Sequence, residues 1–289
     1  MEAHELCGAI EAEINGSASF WFDSLSPRLA KHCWTHLSLD RVTTPSTYRT
    51  GRFLEGSRFI DQAPVGFVEW PGLDGQRVTV ESLQPGTAAR FGELGLEFYP
   101  RNVEIDLMAK LNSAIEIISQ VPEAVAVASS MLSTLHFLKP ECPEYDVSYS
   151  APNLPFSIFV GASLVEQRNG DLRLAESILH ECMHLQLTLI ETHVLLVETD
   201  ELLHHSPWKR ALRPTRGVMH GLYVFRIIQE FFRALQSSGG LSDLGREHIT
   251  DRLSQIDAEV KEMGDLSSST DLTRIGRTFV ERMQLGIQQ

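Results

Sequence analysis

A chain of 289 residues with 43% hydrophobic and 22% charged residues has the make-up of an ordinary globular protein, long enough for one large core or two small ones. Its 25 Lys and Arg against 38 Asp and Glu leave a formal charge of −13. Such a surface repels phosphate backbones, which excludes nucleic acid as the expected partner.

The acidic start "MEAHELCGAIEAEI" lacks the basic n-region and apolar h-region of a signal peptide. Apolar runs such as "FSIFVGASLV" fall far short of the roughly 18 residues of a membrane span, so no membrane is expected. Cys7, Cys33, Cys142 and Cys182 are scattered and read as reduced thiols of a cytoplasmic protein.

Helical patterning opens the chain at 2–15 and returns at 26–40, where Pro27 stands near a helix start. A Gly/Pro/Thr-rich stretch at 41–76 follows, then a strand at 77–83, "RVTVESL", where β-branched and polar residues alternate. Helices are expected at 103–121 and 123–137. Pro140, Pro143, Pro152 and Pro155 then forbid helix and frame two extended pieces, 145–150 and 156–161, as a hairpin or two edge strands. After the turn "RNGD", with Asp171 as cap, no Gly or Pro interrupts Leu172 to Val197, and Leu, Ile and Met recur three and four apart.

That pattern predicts a long, largely buried helix. Pro207 and Pro214 make 204–217 a loop, and amphipathic helices follow at 218–236, 242–262 and 269–284. The expected fold is mainly α, a bundle-like single domain with a small β component. Residues 1–140 are expected to form its mostly helical, substrate-recognising part, and 141–289 its metal-binding catalytic part, as one continuous domain.

The long helix carries His-Glu-x-x-His: His180, Glu181, Cys182, Met183, His184. Residues four apart share a helix face, so two imidazoles can meet one cation. The alternative is a pair of core histidines satisfied by their surroundings. A third ligand is harder to place. Glu191 and His193 stand roughly 10 and 13 Å along the axis from His184, beyond reach of the same ion on an unbroken helix. The extended zincin pattern is missing too, with Leu187 in place of its Gly and Ile190 in place of its third His. Glu198 and Glu201 fall on or just past the same helix, and His204 and His205 in an exposed-looking turn. His220 is the best candidate, since Gly217 and Gly221 allow its helix a close approach; its alternative is a hydrogen bond to a neighbouring loop. Arg213 and Arg216 just before it can grip a carboxylate through paired hydrogen bonds.

Three blocks, "YDVSYSAPNLPFSIFVG", "LAESILHECMHLQLTLIE" and "SPWKRALRPTRGVMHGLYVF", in this order resemble the 2-oxoglutarate-dependent HExxH-type peptide β-hydroxylases, iron enzymes that modify ribosomally made peptides. The resemblance covers roughly 144–235. It implies oxygenation rather than hydrolysis: Fe(II) held by His180, His184 and His220, with Glu191 or Glu198 as the carboxylate fallback, and 2-oxoglutarate anchored by Arg213 or Arg216. A ribosomal precursor peptide is the implied substrate. Tyr145, Tyr149 and Phe156 can meet it by strand addition or pack as core, and Trp208 can cover the pocket or be core. Two other readings stand beside this one. Glu181 is the general base of a zinc metallopeptidase, or the pair is structural in a binding module.

Overall fold

The structure, a computed structural model, describes residues 2–17, 19–39, 53–55, 58–60, 63–142, 146–150 and 156–285. It is 57% helical and 15% strand, so the mainly α expectation holds. The chain divides into two compact units, one of Met1–Leu29 with Gln186–Gln289 and one of Ala30–Leu185.

The Ala30–Leu185 unit takes most of α2 (Ser26–Leu39), a small hairpin of β1 (Phe53–Glu55) and β2 (Arg58–Ile60), and a five-stranded sheet. The sheet's strands β3 (Ala63–Glu69), β4 (Arg77–Ser82), β5 (Thr134–Leu138), β6 (Ser148–Ser150) and β7 (Ser157–Gly161) lie in the order β3-β4-β5-β7-β6. β4, β5 and β7 run parallel in the middle, while β3 and β6 close the two sides as antiparallel neighbours. Between β4 and β5 the chain passes through α3 (Pro85–Gly92), α4 (Arg101–Ile118) and α5 (Pro122–Met131).

One expected helix is therefore cut short. The pattern over 123–137 predicted continuous helix, but α5 stops at Met131 and "TLHFL" becomes the central strand β5, buried at all five positions. A short apolar run fits a buried strand as well as a buried helix, and its Thr and aromatic residues favour the pleated surface. The expected extended pieces at 145–150 and 156–161 do pair, as β6 against β7, with β6 at the edge.

α6 (Gly170–Glu191) follows β7 and ends six residues before the expected Val197. No Gly or Pro stops it. Thr192 turns its hydroxyl back on the Leu189 carbonyl (2.6 Å), which competes with the next helical bond. Beyond it, tertiary pairing wins. Val197 bridges Leu272, the Glu198 amide donates to Asp271 O (2.7 Å), and the Thr273 amide donates to Leu196 O (3.0 Å). These strand-like bonds draw 194–198 out of helical geometry.

In the other unit, α1 (Glu2–Gly16), α7 (Thr215–Ser238), α8 (Asp243–Glu262) and α9 (Arg274–Leu285) pack around Phe22, Tyr223, Phe231, Phe232 and Phe279, each less than 2% exposed. Arg282 of α9 donates to the carbonyls of Ile14 and Ser17 at the end of α1 and to that of Glu13, which also accepts from the Ser17 amide. The expected loop 204–217 is a hairpin instead, β8 (Leu203–Ser206) against β9 (Ala211–Pro214). Its prolines sit where a sheet tolerates them. Pro207 is the second residue of a turn closed by the Lys209 amide on Ser206 O (3.2 Å), and Pro214 is the last residue of β9, where α7 begins.

Candidate functional site

α6 is buried nearly all round. From Leu172 to Ile190 only Arg173, Glu176, His180, His184 and Thr188 keep partial exposure, at spacings of three and four that make one polar stripe. Both motif histidines lie on it, so the reading as fully enclosed core histidines does not describe them. His184 Nε2 stands 3.2 Å from His180 Nε2, with ring centroids 4.8 Å apart and planes at 69°. Two ring nitrogens this close need a positive centre between them, either one shared N–H proton or a cation. Two ligands about 2.1 Å from one metal and subtending about 100° stand about 3.2 Å apart, so the pair fits two corners of a metal site. Among the described residues no group of three His, Cys, Asp or Glu is arranged to hold a metal ion.

Glu181, between the two histidines in sequence, is only 4% exposed and faces the sheet. The Ser148 hydroxyl donates to its Oε1 (2.6 Å) and the Ser150 hydroxyl to its Oε2 (2.5 Å). β6 alternates faces, so its two serines point to the α6 side while Tyr149 points away. Tyr149 joins Phe91, Phe98 and Phe159 on the opposite face. His136 of β5 is fully buried on that face, stacked on Phe159 (4.8 Å, 25°), and its Nδ1 lies 2.9 Å from Glu81 O. Burial pulls its pKa down to about 4, so the ring is neutral.

The remaining candidates fall in the other unit. His220, expected as third ligand, has its Nε2 2.8 Å from Glu191 Oε2, and Arg216 Nε stands 3.4 Å from Glu191 Oε1. The fallback carboxylate and the preferred histidine are thus bonded to each other. The Arg216 amide donates to Asp200 Oδ1 (2.8 Å) at the start of α7. Gly217 and Gly221 do not serve the approach of α7 to the motif helix that the sequence suggested. A Cβ at Gly221 would lie 2.7 Å from the Trp208 ring, and one at Gly217 would lie 3.5 Å from Arg213 Nε. Gly221 thus makes room for Trp208 in the β8–β9 turn, whereas a side chain at Gly217 would meet Arg213 only at ordinary contact distance; Trp208 stacks on Phe225 (5.1 Å, 18°).

His204 lies 3.0 Å from Thr215 Oγ1 and 3.2 Å from Ser269 Oγ, and His205 pairs with Glu262 at 2.9 Å. Thr215 in turn donates to buried Asp271 (2.7 Å), which also accepts from Thr199 (2.5 Å) and from the Leu202 amide (2.9 Å). The Thr199 hydroxyl first, then that of Thr215 and the Leu202 amide, hold the Asp271 carboxyl below its usual range. Glu198 and Glu201 lie past the end of α6.

Phe156 is 1% exposed and is core rather than a substrate-facing ring; Tyr145 lies outside the described residues. Sequence reasoning missed the serine clamp on Glu181, whose one signal is Ser-x-Ser in an extended segment before the motif helix. Compared with models of known protein families and with curated proteins, the chain matches none.

Proposed function

We propose that the protein is an iron(II)- and 2-oxoglutarate-dependent oxygenase that hydroxylates a side-chain carbon of a ribosomally made peptide. The observation that carries the reading is the convergence of His180 and His184 Nε2 at 3.2 Å on the accessible stripe of α6. As neutral nitrogen donors these two residues would hold Fe(II), and they suit Zn(II) as well. When bound, the iron would bring together dioxygen, which is the oxidant, and the keto acid, which gives up two of the four electrons as it decarboxylates to succinate.

Glu181 separates the oxygenase from the zinc peptidase. A hydrolytic base must face the metal-bound water and take its proton. Here the carboxylate is buried, and each of its oxygens accepts a serine hydroxyl from the sheet. This supports a positioning role, in which Glu181 fixes β6 against the helix that presents the histidines. Arg213 and Arg216 are the proposed contacts for the cosubstrate's carboxylate, and replacing the one that serves with Gln raises KM for 2-oxoglutarate at least about tenfold.

Protein purified without oxygen should take up one Fe(II) per chain and, with 2-oxoglutarate, oxygen and a cognate peptide, release succinate and a product one oxygen atom heavier. His180→Ala and His184→Ala should each lose the metal and the turnover. Zinc-dependent peptide cleavage that disappears in Glu181→Gln would overturn the proposal in favour of the peptidase.

A further inference from the structure

The geometry of β6 points to a docking edge for an extended segment of the peptide substrate, an inference that rests on the peptide-modifying reading above. In an antiparallel pair, residues alternate between exchanging both backbone bonds with their partner and pointing both groups away from it. The Gly161 amide donates to Val147 O, and the register sets Tyr149 against Phe159, so these two pairs face inward. Ser148 and Ser150, opposite Val160 and Ile158, therefore turn their amides and carbonyls outward, away from β7. Among the described residues no strand pairs with that side of β6, and all three of its residues are half-buried.

These two residues do double service. Their backbones form the outer edge of the described sheet, and their side chains hold Glu181 beside His180. What fits such an edge is a chain with backbone donors and acceptors at the strand repeat, which is an extended peptide. Recognition through backbone tolerates varied sequence, and a docked strand turns every second side chain toward the α6 face of the sheet. The same two serines would then register the substrate and the motif helix together.

The test pans a library of random dodecapeptides on the full-length protein without metal or 2-oxoglutarate. Enriched peptides are then resynthesised with single backbone N-methyl groups. Binding should fall about fivefold or more at alternate positions and stay unchanged between them, since one backbone hydrogen bond contributes about that factor. Ser150→Pro removes one outward amide at an edge that tolerates proline, and should weaken binding by a similar factor. Ser150→Ala also loses the hydroxyl on Glu181 but keeps the outward amide, so it should weaken binding less than Ser150→Pro does; equal losses in the two variants would count against the backbone edge.

Failure to enrich any peptide, or tolerance of N-methylation at every position, would overturn the docking edge. So would a dimer that Ser150→Pro dissociates, because the edge would then belong to a second copy. Succinate formation is scored separately, so loss of the oxygenase reading with retained alternate-position binding stays distinguishable from loss of the edge.

Discussion

Gln186 is fully buried, and its amide joins three segments: its Nε2 donates to Trp21 O (2.8 Å) and Ser26 Oγ (2.6 Å), and its Oε1 accepts from the Tyr223 hydroxyl. Gln186→Leu keeps the volume but takes the amide donor from the Trp21 carbonyl and leaves the Tyr223 hydroxyl only the longer bond to Phe20 O (3.3 Å), a loss of about 2–3 kcal/mol measurable by denaturant unfolding. Gly276 is the steric counterpart. A Cβ there would meet Leu196 O at 1.9 Å, a contact with backbone that side chains cannot relieve, so Gly276→Ala should cost at least about 3 kcal/mol.

His136 supplies a pH dependence. Its folded pKa of about 4 lies below the ordinary value near 6.5, so the unfolded chain binds more protons in between. Its contribution is complete above about pH 6.5 and is lost as pH falls toward 4, by about 3 kcal/mol in all. His136→Phe should flatten the stability profile in that window. The Asp271 carboxyl, held low by its hydroxyl donors, adds stability above its ordinary value near 4 that fades in more acid solution; Asp271→Asn should remove that dependence. Of these residues the sequence signals little. The two motif histidines were legible because helical spacing alone brings them together, whereas Ser148 and Ser150 meet Glu181 across 33 and 31 residues of chain.

Among the elements, the helices were readable wherever apolar residues recur at three and four, as in α4, α6, α7 and α8. The hairpin β8–β9 was not, because its prolines look like breakers until the turn at Pro207 and the strand end at Pro214 show where they are harmless. The end of α6 was hidden for the opposite reason. The local sequence permits helix to Val197, and the pairing of 196–198 with 271–273 overrides it. α1 also depends on a distant partner, since Arg282 closes its carbonyl end. Arg282→Met, which keeps much of the stem, should fray the last turn of α1, seen as faster amide hydrogen exchange at 13–17 while α7 stays protected.

For the chain as a whole, the spacing and length of the apolar runs were enough to give a mainly α protein with no helix, among the described residues, long and apolar enough to cross a membrane. They could not give the order of the sheet, which depends on parallel pairing of segments separated by helices. Nor could they show that one unit is assembled from both ends of the sequence, Met1–Leu29 and Gln186–Gln289, while the other is continuous. That discontinuity has a cost during synthesis. With the ribosome adding roughly 5–20 residues per second, α1 emerges tens of seconds before the α9 arginine that caps it. A nascent chain stalled before residue 274 should therefore leave α1 open to protease and to chaperones, and emergence of α9 should close that window in a single late step.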